Sequence, residues 1–424
     1  MQDFSDMKLV KPILNALREE KYMTPTPIQE KCIPLINEGV DLLGVAQTGT
    51  GKTAAFALPL LNCLEKKVGK PIRRHPNALI LAPTRELACQ IEASLKTYGR
   101  HLQLRSSVVF GGASIRPQIQ KLNNGIHILV ATPGRLIDLM RQGHVNLSKV
   151  EIFVLDEADR MLDMGFIPDV RKISKSLSIG RQTIMFSATM PVSVKRLADT
   201  LLKDPEYIET TPSSTTVEKI DQCMLFLSKD KKRFMLGELL ADDALKKVLI
   251  FTRTKHCADR VVKNLHQVNI RADAIHGNKA QSVRQRALKS FRSGNIRALV
   301  ATDIAARGID VEGVTHVINF ELPNDPENYV HRIGRTARAG ATGIAISFCD
   351  HSERGYLREI EKIIRQKIPI NADHPYHLAE IVSVPSSAQK KSRPHRKGVG
   401  KRNSKFKNKL KQNIEGAPRG RKAA

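Results

Sequence analysis

Tryptophan is absent from the 424 residues, and aromatic residues make up only 4% of them. Few rings are on offer for stacking, so a polyanion held by this chain is expected to be gripped through phosphate and sugar, with little preference for base. The six cysteines (32, 63, 89, 223, 257 and 349) are scattered and include no C-x-x-C pair. That argues against a disulfide framework or a structural zinc site and fits reduced thiols. No apolar run approaches the roughly 18 residues of a membrane-spanning helix. No N-terminal signal pattern appears, so the expected location is cytoplasmic. Acid is also in short supply: 42 Asp and Glu stand against 69 Lys and Arg, for a net charge of +27. A pI near 10.0 with no membrane signature points to nucleic acid as the partner.

What is present divides into two cores and an appendix. The length is too great for one hydrophobic core, and 41% hydrophobic residues support real ones. The expected domains are residues 1–210 and 218–370. A Ser/Thr/Pro-rich linker at 211–217 joins them, and a basic tail at 371–424 follows. From Gln389 onward the chain carries 14 Lys or Arg and one Glu, a net +13. Its apolar residues lack periodicity, so this part is expected to be disordered when free, and its charge suits a tether for a polyanion.

Chemistry begins at Ala46-Gln47-Thr48-Gly49-Thr50-Gly51-Lys52-Thr53. An apolar run precedes it and a helical pattern follows, which is the context of a phosphate loop. The two glycines let backbone N–H groups converge on one anion, and the helix N-terminus adds to the field. Lys52 is placed to reach the outer phosphates of ATP and Thr53 to offer its hydroxyl to Mg²⁺. Ala46 departs from the general pattern, which has Gly there. Asp156-Glu157-Ala158-Asp159 answers the loop at the end of a second apolar run. Neighbouring buried carboxylates stay ionised only beside a cation or water. Asp156 is therefore assigned to Mg²⁺ and Glu157 to the attacking water, since Mg²⁺ takes few protein carboxylates.

Apolar runs at 42–45, 78–82, 106–110, 126–131, 150–155 and 182–186 alternate with helical patterns. The second half repeats this at 248–251, 272–275, 298–300, 314–319 and 343–348. The expectation is an α/β protein with two tandem parallel sheets, which the family resemblance given below implies to be RecA-like, and with ligands beyond the carboxyl ends of the strands. Residues 7–20 read as one amphipathic helix, and a second is expected from about Ile28, behind Pro25 and Pro27. Gln29 in its first turn has an amide suited to an adenine edge. The second half has no phosphate loop of its own and is expected to complete a site across a cleft. Arg335 and Arg338, three apart, are expected on one helical face as fingers for the γ-phosphate.

Taken together these residues resemble the DEAD-box ATP-dependent RNA helicases, over about residues 2–365. The run at 331–340 looks most like the bacterial RhlE type. Many members have Gly where Lys21 and Ala337 stand here. The resemblance implies that Phe4 stacks on adenine beside Gln29. It implies that Ser187, Thr189 and His331 couple the ATP site to duplex opening, and that Asp303, Gly308 and Asp310 approach the nucleotide from the second domain. It places Pro83, Thr84, Arg85, Gly112, Thr132, Gly134 and Arg135 along the RNA path of the first domain. On the second domain it places Thr252, Arg253, His276, Gly277, Arg284 and Thr302.

The activity so implied is RNA-dependent ATP hydrolysis that unwinds short duplexes, in ribosome assembly or RNA decay, with protein partners of those processes. Two alternatives share the motifs: an ATP-gated RNA clamp or annealing factor, and a DNA translocase of the wider superfamily.

Overall fold

A computed structural model describes residues 3–47, 49–67, 69–210, 220–306, 313–337 and 343–378. All lie in one compact unit, residues 1–382. The expected linker at 211–217 and the tail beyond 378 are outside the described residues. So are Thr48, Gly308, Asp310 and Arg338.

The first sheet has seven strands: β1 (Leu42–Val45), β2 (Ala78–Leu81), β3 (Ser106–Val109), β4 (Ile128–Ala131), β5 (Ile152–Leu155), β6 (Gln182–Ser187) and β7 (Glu206–Glu209). Their order across the sheet is β3-β4-β2-β5-β6-β1-β7. The second sheet has six: β8 (Ile220–Phe226), β9 (Val248–Thr252), β10 (Ala272–Ile275), β11 (Ala298–Thr302), β12 (His316–Asn319) and β13 (Gly343–Cys349). Their order is β10-β11-β9-β12-β13-β8. Every strand pair in both sheets is parallel. The central strands are buried on both faces, which is why they read as continuous apolar runs. Hydrophobic clusters fill both faces of each sheet. This is the pair of RecA-like lobes expected from the alternating pattern. No helix among the described residues is long and apolar enough to cross a membrane.

Strand order sets the site. β5, β6 and β1 are neighbours, so the acidic run, Ser187 and the phosphate loop leave the sheet from adjacent strand ends. At about 4.8 Å per strand, the outer two are about 10 Å apart. β4 and β2 lie on the other side of β5, so Thr132 and Pro83 leave from a separate part of the same edge.

The structure differs from the sequence reading in three places. Residues 7–20 are not one helix: a 3₁₀ turn, Phe4–Met7, is followed by a helix, Lys11–Glu19. Lys8 between them is left-handed at φ 54, and Pro12 starts the second helix. β7 and β8 were not foreseen. β7 is a largely exposed edge strand without an apolar run. β8, the other sheet's edge, is covered on its outer side by the chain after the last helix. Met224 N donates to Pro369 O at 2.8 Å and Leu378 N to Phe226 O at 3.1 Å.

Lys21 and Ala337, the positions where Gly is common among the proteins this chain resembles, are both left-handed here, at φ 58 and φ 55. A side chain in that region costs about 1–2 kcal/mol. Lys21 is exposed, so nothing else is lost on removing its side chain. Lys21→Gly should therefore stabilise the first lobe by about 0.5–1 kcal/mol, read as a higher urea midpoint. A midpoint that stays or falls would remove the strain reading.

Candidate active site and RNA path

The phosphate loop is held from behind by the segment before it. Thr26 Oγ1 donates to Thr50 O at 2.8 Å, and Gln29 Nε2 donates to Gly51 O at 3.1 Å. Gln29 Oε1 accepts from Thr26 N at 2.9 Å, closing a capping box on the helix Pro27–Glu38. Gly51 sits at φ 92, and a Cβ there would stand 2.4 Å from Gln29 Nε2. The glycine is required both by the turn and by the approach of Gln29. Gln29 is 1% exposed, so it braces the loop as its first task. Its amide still has one N–H and one lone pair to spend. Lys52 opens the helix Lys52–Lys67, is buried, and donates from Nζ to Ala46 O at 2.8 Å. Thr53 follows it, half-buried. Phe4 is 2% exposed, within the first lobe's core. Gln29 is buried to the same depth, so burial alone sets neither residue aside for the adenine.

The acidic run turns sharply off β5. Glu157 is left-handed at φ 55 and precedes the short helix Ala158–Asp163. Asp156 Oδ1 accepts from Glu157 N at 2.9 Å. Glu157 Oε2 meets Arg160 Nη1 at 2.6 Å, both residues buried, while Arg160 Nη2 is buried with no hydrogen-bond partner among the described residues. Burial pushes the Asp156 carboxyl well up; Lys52 opposes that push and Glu157 adds to it. A divalent cation on Asp156 would reverse the push. No group of three or more His, Cys, Asp or Glu is arranged as a metal cage among the described residues. The donor set is instead the sparse one that suits Mg²⁺ shared with phosphates and water.

Asp159 was assigned no role from sequence, and it has the most connected carboxylate of the run. Its Oδ2 accepts from Ala188 N at 3.1 Å, Thr189 N at 3.0 Å and Thr189 Oγ1 at 3.1 Å. Its own N donates to Ser187 Oγ at 3.3 Å, and that hydroxyl donates to Thr189 O at 2.7 Å. Burial raises the Asp159 carboxyl, but Lys52, Arg160 and the Arg160 amide outweigh that and hold it below its ordinary value. The loop after β6 is thus tied to the acidic run.

On the second lobe, the helix Pro326–Ile333 ends before the arginines. Gly334 caps it, so Arg335 lies in the turn beyond and is not on a helical face. The shared-face expectation for Arg335 and Arg338 is corrected to that extent. Arg335 is 4% exposed and its Nε donates to His331 O at 3.3 Å. It lines a narrow cleft with Arg160 of the first lobe. A second cavity, of about 230 Å³, is lined by Gln47, Ala188 and Thr189 from one lobe and by Glu327, Val330, His331 and Gly334 from the other. Asp303, expected near the nucleotide, is gripped by Arg332, with Nε–Oδ1 at 2.5 Å and Nη2–Oδ2 at 2.8 Å. Arg332 is 1% exposed and also donates to Asn319 Oδ1 and Glu321 O.

Most of the first lobe's expected RNA residues share one cavity of about 360 Å³: Pro83, Thr84, Arg85, Thr132, Gly134 and Arg135 line it, with Arg284 of the second lobe. Gly112 is close by, and a Cβ on it would stand 2.1 Å from Arg85 Nη2, so only glycine lets that guanidinium lie there. Burial first, and Arg284 second, push the Arg85 pKa down. Arg135 Nη2 donates to Ala113 O at 3.1 Å, and its Nη1 is buried with no hydrogen-bond partner among the described residues. Two further residues join the lobes. Glu86 Oε1 takes Arg284 Nη2 at 2.7 Å and Gln281 Nε2 at 3.2 Å. An acid set among arginines was the signal for Glu86.

The second lobe's expected set is less exposed than its motifs suggest. Thr252 and His276 are buried, and His276 Nε2 lies 3.1 Å from Asp259. Arg253 Nη2 pairs with Glu353 at 3.1 Å, and its Nη1 donates to Asn324 Oδ1 at 3.3 Å. Thr302 pairs in register with Thr252 at the strand ends, and Gly277 is exposed.

Comparison with known proteins agrees with this architecture. Residues 26–197 match the DEAD/DEAH box helicase family, and residues 230–340 match the helicase conserved C-terminal domain. The ATP-dependent RNA helicase CshA of Listeria monocytogenes is 42% identical over 373 residues, covering 88% of this chain and 71% of that one. The DEAD-box ATP-dependent RNA helicase CshA of Geobacillus kaustophilus is 42% identical over 87% of this chain and 78% of its own. Among solved structures, S. cerevisiae Dbp5 bound to RNA and ADP BeF3 superposes with a TM-score of 0.77 at 31% identity, covering 87% of this chain and 96% of that one. Mss116p bound to ssRNA and AMP-PNP gives the same TM-score and identity, with coverage of 88% and 78%. With both lobes matched along their length, the chain belongs to the DEAD-box ATP-dependent RNA helicases.

Proposed function

We propose that this protein hydrolyses ATP to ADP and phosphate when RNA binds, and uses the cycle to open short RNA duplexes and remodel RNA or RNA–protein particles. One observation carries the reading: Gln47 of the phosphate loop, Thr189 after β6 and His331 of the second lobe line a single cavity. The phosphate loop and the loop after β6 thus face the second-lobe helix that leads to Arg335, which supports a site completed by both lobes. Names of the relatives and neighbours, which bind RNA and adenine nucleotides, support the same substrates.

Roles follow from what each side chain can do. Lys52 exchanges its bond to Ala46 O for the outer phosphate oxygens. Thr53 and Asp156 would hold Mg²⁺, partly through water, and the ion supplies neutralisation of phosphate charge. Glu157 takes a proton from the water that attacks the γ-phosphorus, and Arg160 keeps its carboxylate in place. Arg335, with Arg338, supplies positive charge to the phosphoryl group in flight; such fingers contribute about 10³–10⁵ in rate. Gln29 spends its remaining amide capacity on the adenine edge, with Phe4 beside it as the resemblance implies. Strand contacts fall to the cavity around Arg85 and Arg135. Asp159 links that work to the loop at Ser187 and Thr189. ATP and RNA each draw the lobes together, so their affinities are coupled reciprocally.

The domain roles are ATP binding in 1–210, arginines and RNA contacts in 218–370, and RNA tethering in the expected tail from 371, whose first residues to 378 lie along β8 instead. Within the family, the run at 331–340 supports an RhlE-type placement, while the curated relatives named above carry the name CshA. Either way the working place is the cytoplasm, with ribosomal precursors or decaying messages as targets.

Glu157→Gln should bind ATP and RNA as the parent does while turnover falls by about 10²–10⁴. Ordinary turnover would remove Glu157 as the base. In the parent, ATP-dependent displacement of a short RNA duplex supports remodelling by unwinding, whereas ATP-gated binding without displacement points to a clamp. Deleting Gln389 onward should raise the RNA concentration needed for half-maximal turnover. It should also flatten the salt dependence by about 0.7 log units per lost phosphate contact. If neither moves, the tail is not a tether.

A further inference from the structure

The helix Arg354–Ile364 closes the second lobe with a strongly two-sided surface. Leu357 and Ile360 are buried, and Ile364 packs beside them. Ile363, on one flank, lines the cavity between the lobes. The other flank is basic. Arg354, Arg358 and Lys362 recur at every fourth residue and share a face, and Arg365 and Lys367 follow in the turn beyond. Arg358, Lys362, Arg365 and Lys367 surround a concavity of about 400 Å³ with Glu361 and Gln366. Glu361 brings the one carboxylate in that lining, and it is already taken: Lys367 Nζ meets it at 2.7 Å and Ile368 N donates to it at 3.2 Å.

Arg358, Lys362 and Arg365 are exposed and make no hydrogen bond or ion pair among the described residues. Exposed Glu359 borders this face three residues before Lys362, and the cations still outnumber it there. Like charges four apart on a helix cost a few tenths of a kcal/mol each. That cost turns into a gain when an anion arrives. Successive cations lie about 6 Å apart along the axis, close enough for one phosphodiester run to meet all three. Two of them are arginines, whose forks suit phosphate oxygens. The chain's own tail is excluded as the occupant by its charge of the same sign.

We propose that this face binds a phosphodiester segment of RNA outside the cleft between the lobes, resting on the RNA-helicase reading above. It is a second handhold, turned away from the nucleotide side and therefore not opened by the ATP cycle. A strand long enough to reach both is held by both, and a strand that fills only the cleft is indifferent to it.

The test uses the full-length protein carrying Arg358→Glu, Lys362→Glu and Arg365→Glu together. Binding of labelled RNA strands of about 10 and about 40 nucleotides is followed by anisotropy across a salt series. The long strand should lose about tenfold in affinity. Its log–log salt slope should fall by about 2, for three contacts at about 0.7 each. Affinity for the short strand, and turnover saturated with it, should not change. The milder pair Arg358→Gln and Lys362→Gln should shift the long strand in the same direction by less, which guards against a misfolded triple variant. Unchanged long-strand binding overturns the inference and leaves the face to an acidic protein segment. Equal losses on both strands also overturn it, because the effect then lies in the cleft. Absence of RNA-stimulated turnover in the unaltered protein is a separate result, which brings down the proposed function and this inference with it.

Discussion

A carboxylate withdrawn from water must be answered by donors or by a cation, and the working edge of the first lobe is built around three that are answered differently. Asp159 is answered by amides and a hydroxyl of the loop after β6, which makes it a structural tie between two strand ends. Glu157 is answered by Arg160, which holds its carboxylate in place. Asp156 is answered least, by Lys52 at a distance and by the next residue's amide. The incomplete answer is the informative one, because a cation beside Asp156 would offset the burial that raises its carboxyl. Strand order makes this division possible, since the loop after β6 leaves the sheet between the phosphate loop and the acidic run.

The second lobe follows the same logic with the signs exchanged. Arg332 is buried and paired with Asp303, so it fixes the helix Pro326–Ile333 that leads to Arg335. Arg253 is likewise drawn inward, by Glu353, which also receives buried Lys232. Arginines that look interchangeable in a motif thus fall into two kinds. Some hold the lobe together, and others, such as Arg335 in its turn, are set at the opening toward the first lobe.

Much of this was legible in the chain. Buried parallel strands announce themselves as apolar runs of four to six residues, and the glycine-rich turn and paired acids mark the ends of two of them. The two edge strands were not legible. β7 is polar and exposed, and β8 borrows its outer neighbour from residues more than 140 positions later. Side-chain commitments were equally hidden. Nothing local in Gln29 says that its amide is already bound to Gly51, nor in Asp303 that Arg332 holds it. Glu86 gains its meaning only from Gln281 and Arg284, which are nearly 200 residues away. The end of the helix at Ile333 was missed because the i, i+3 spacing continues in sequence after Gly334 has already stopped the backbone.

The cover over β8 has a practical consequence. An uncovered strand edge is a template for another chain, and here residues 369–378 occupy it, pairing with Met224 and Phe226. Any shortened form of this protein, made to escape the basic appendix, has to stop beyond Leu378. Cut earlier, the second lobe would present a bare seam, and neighbouring copies would zip along it into aggregates that resemble misfolding although each core is intact.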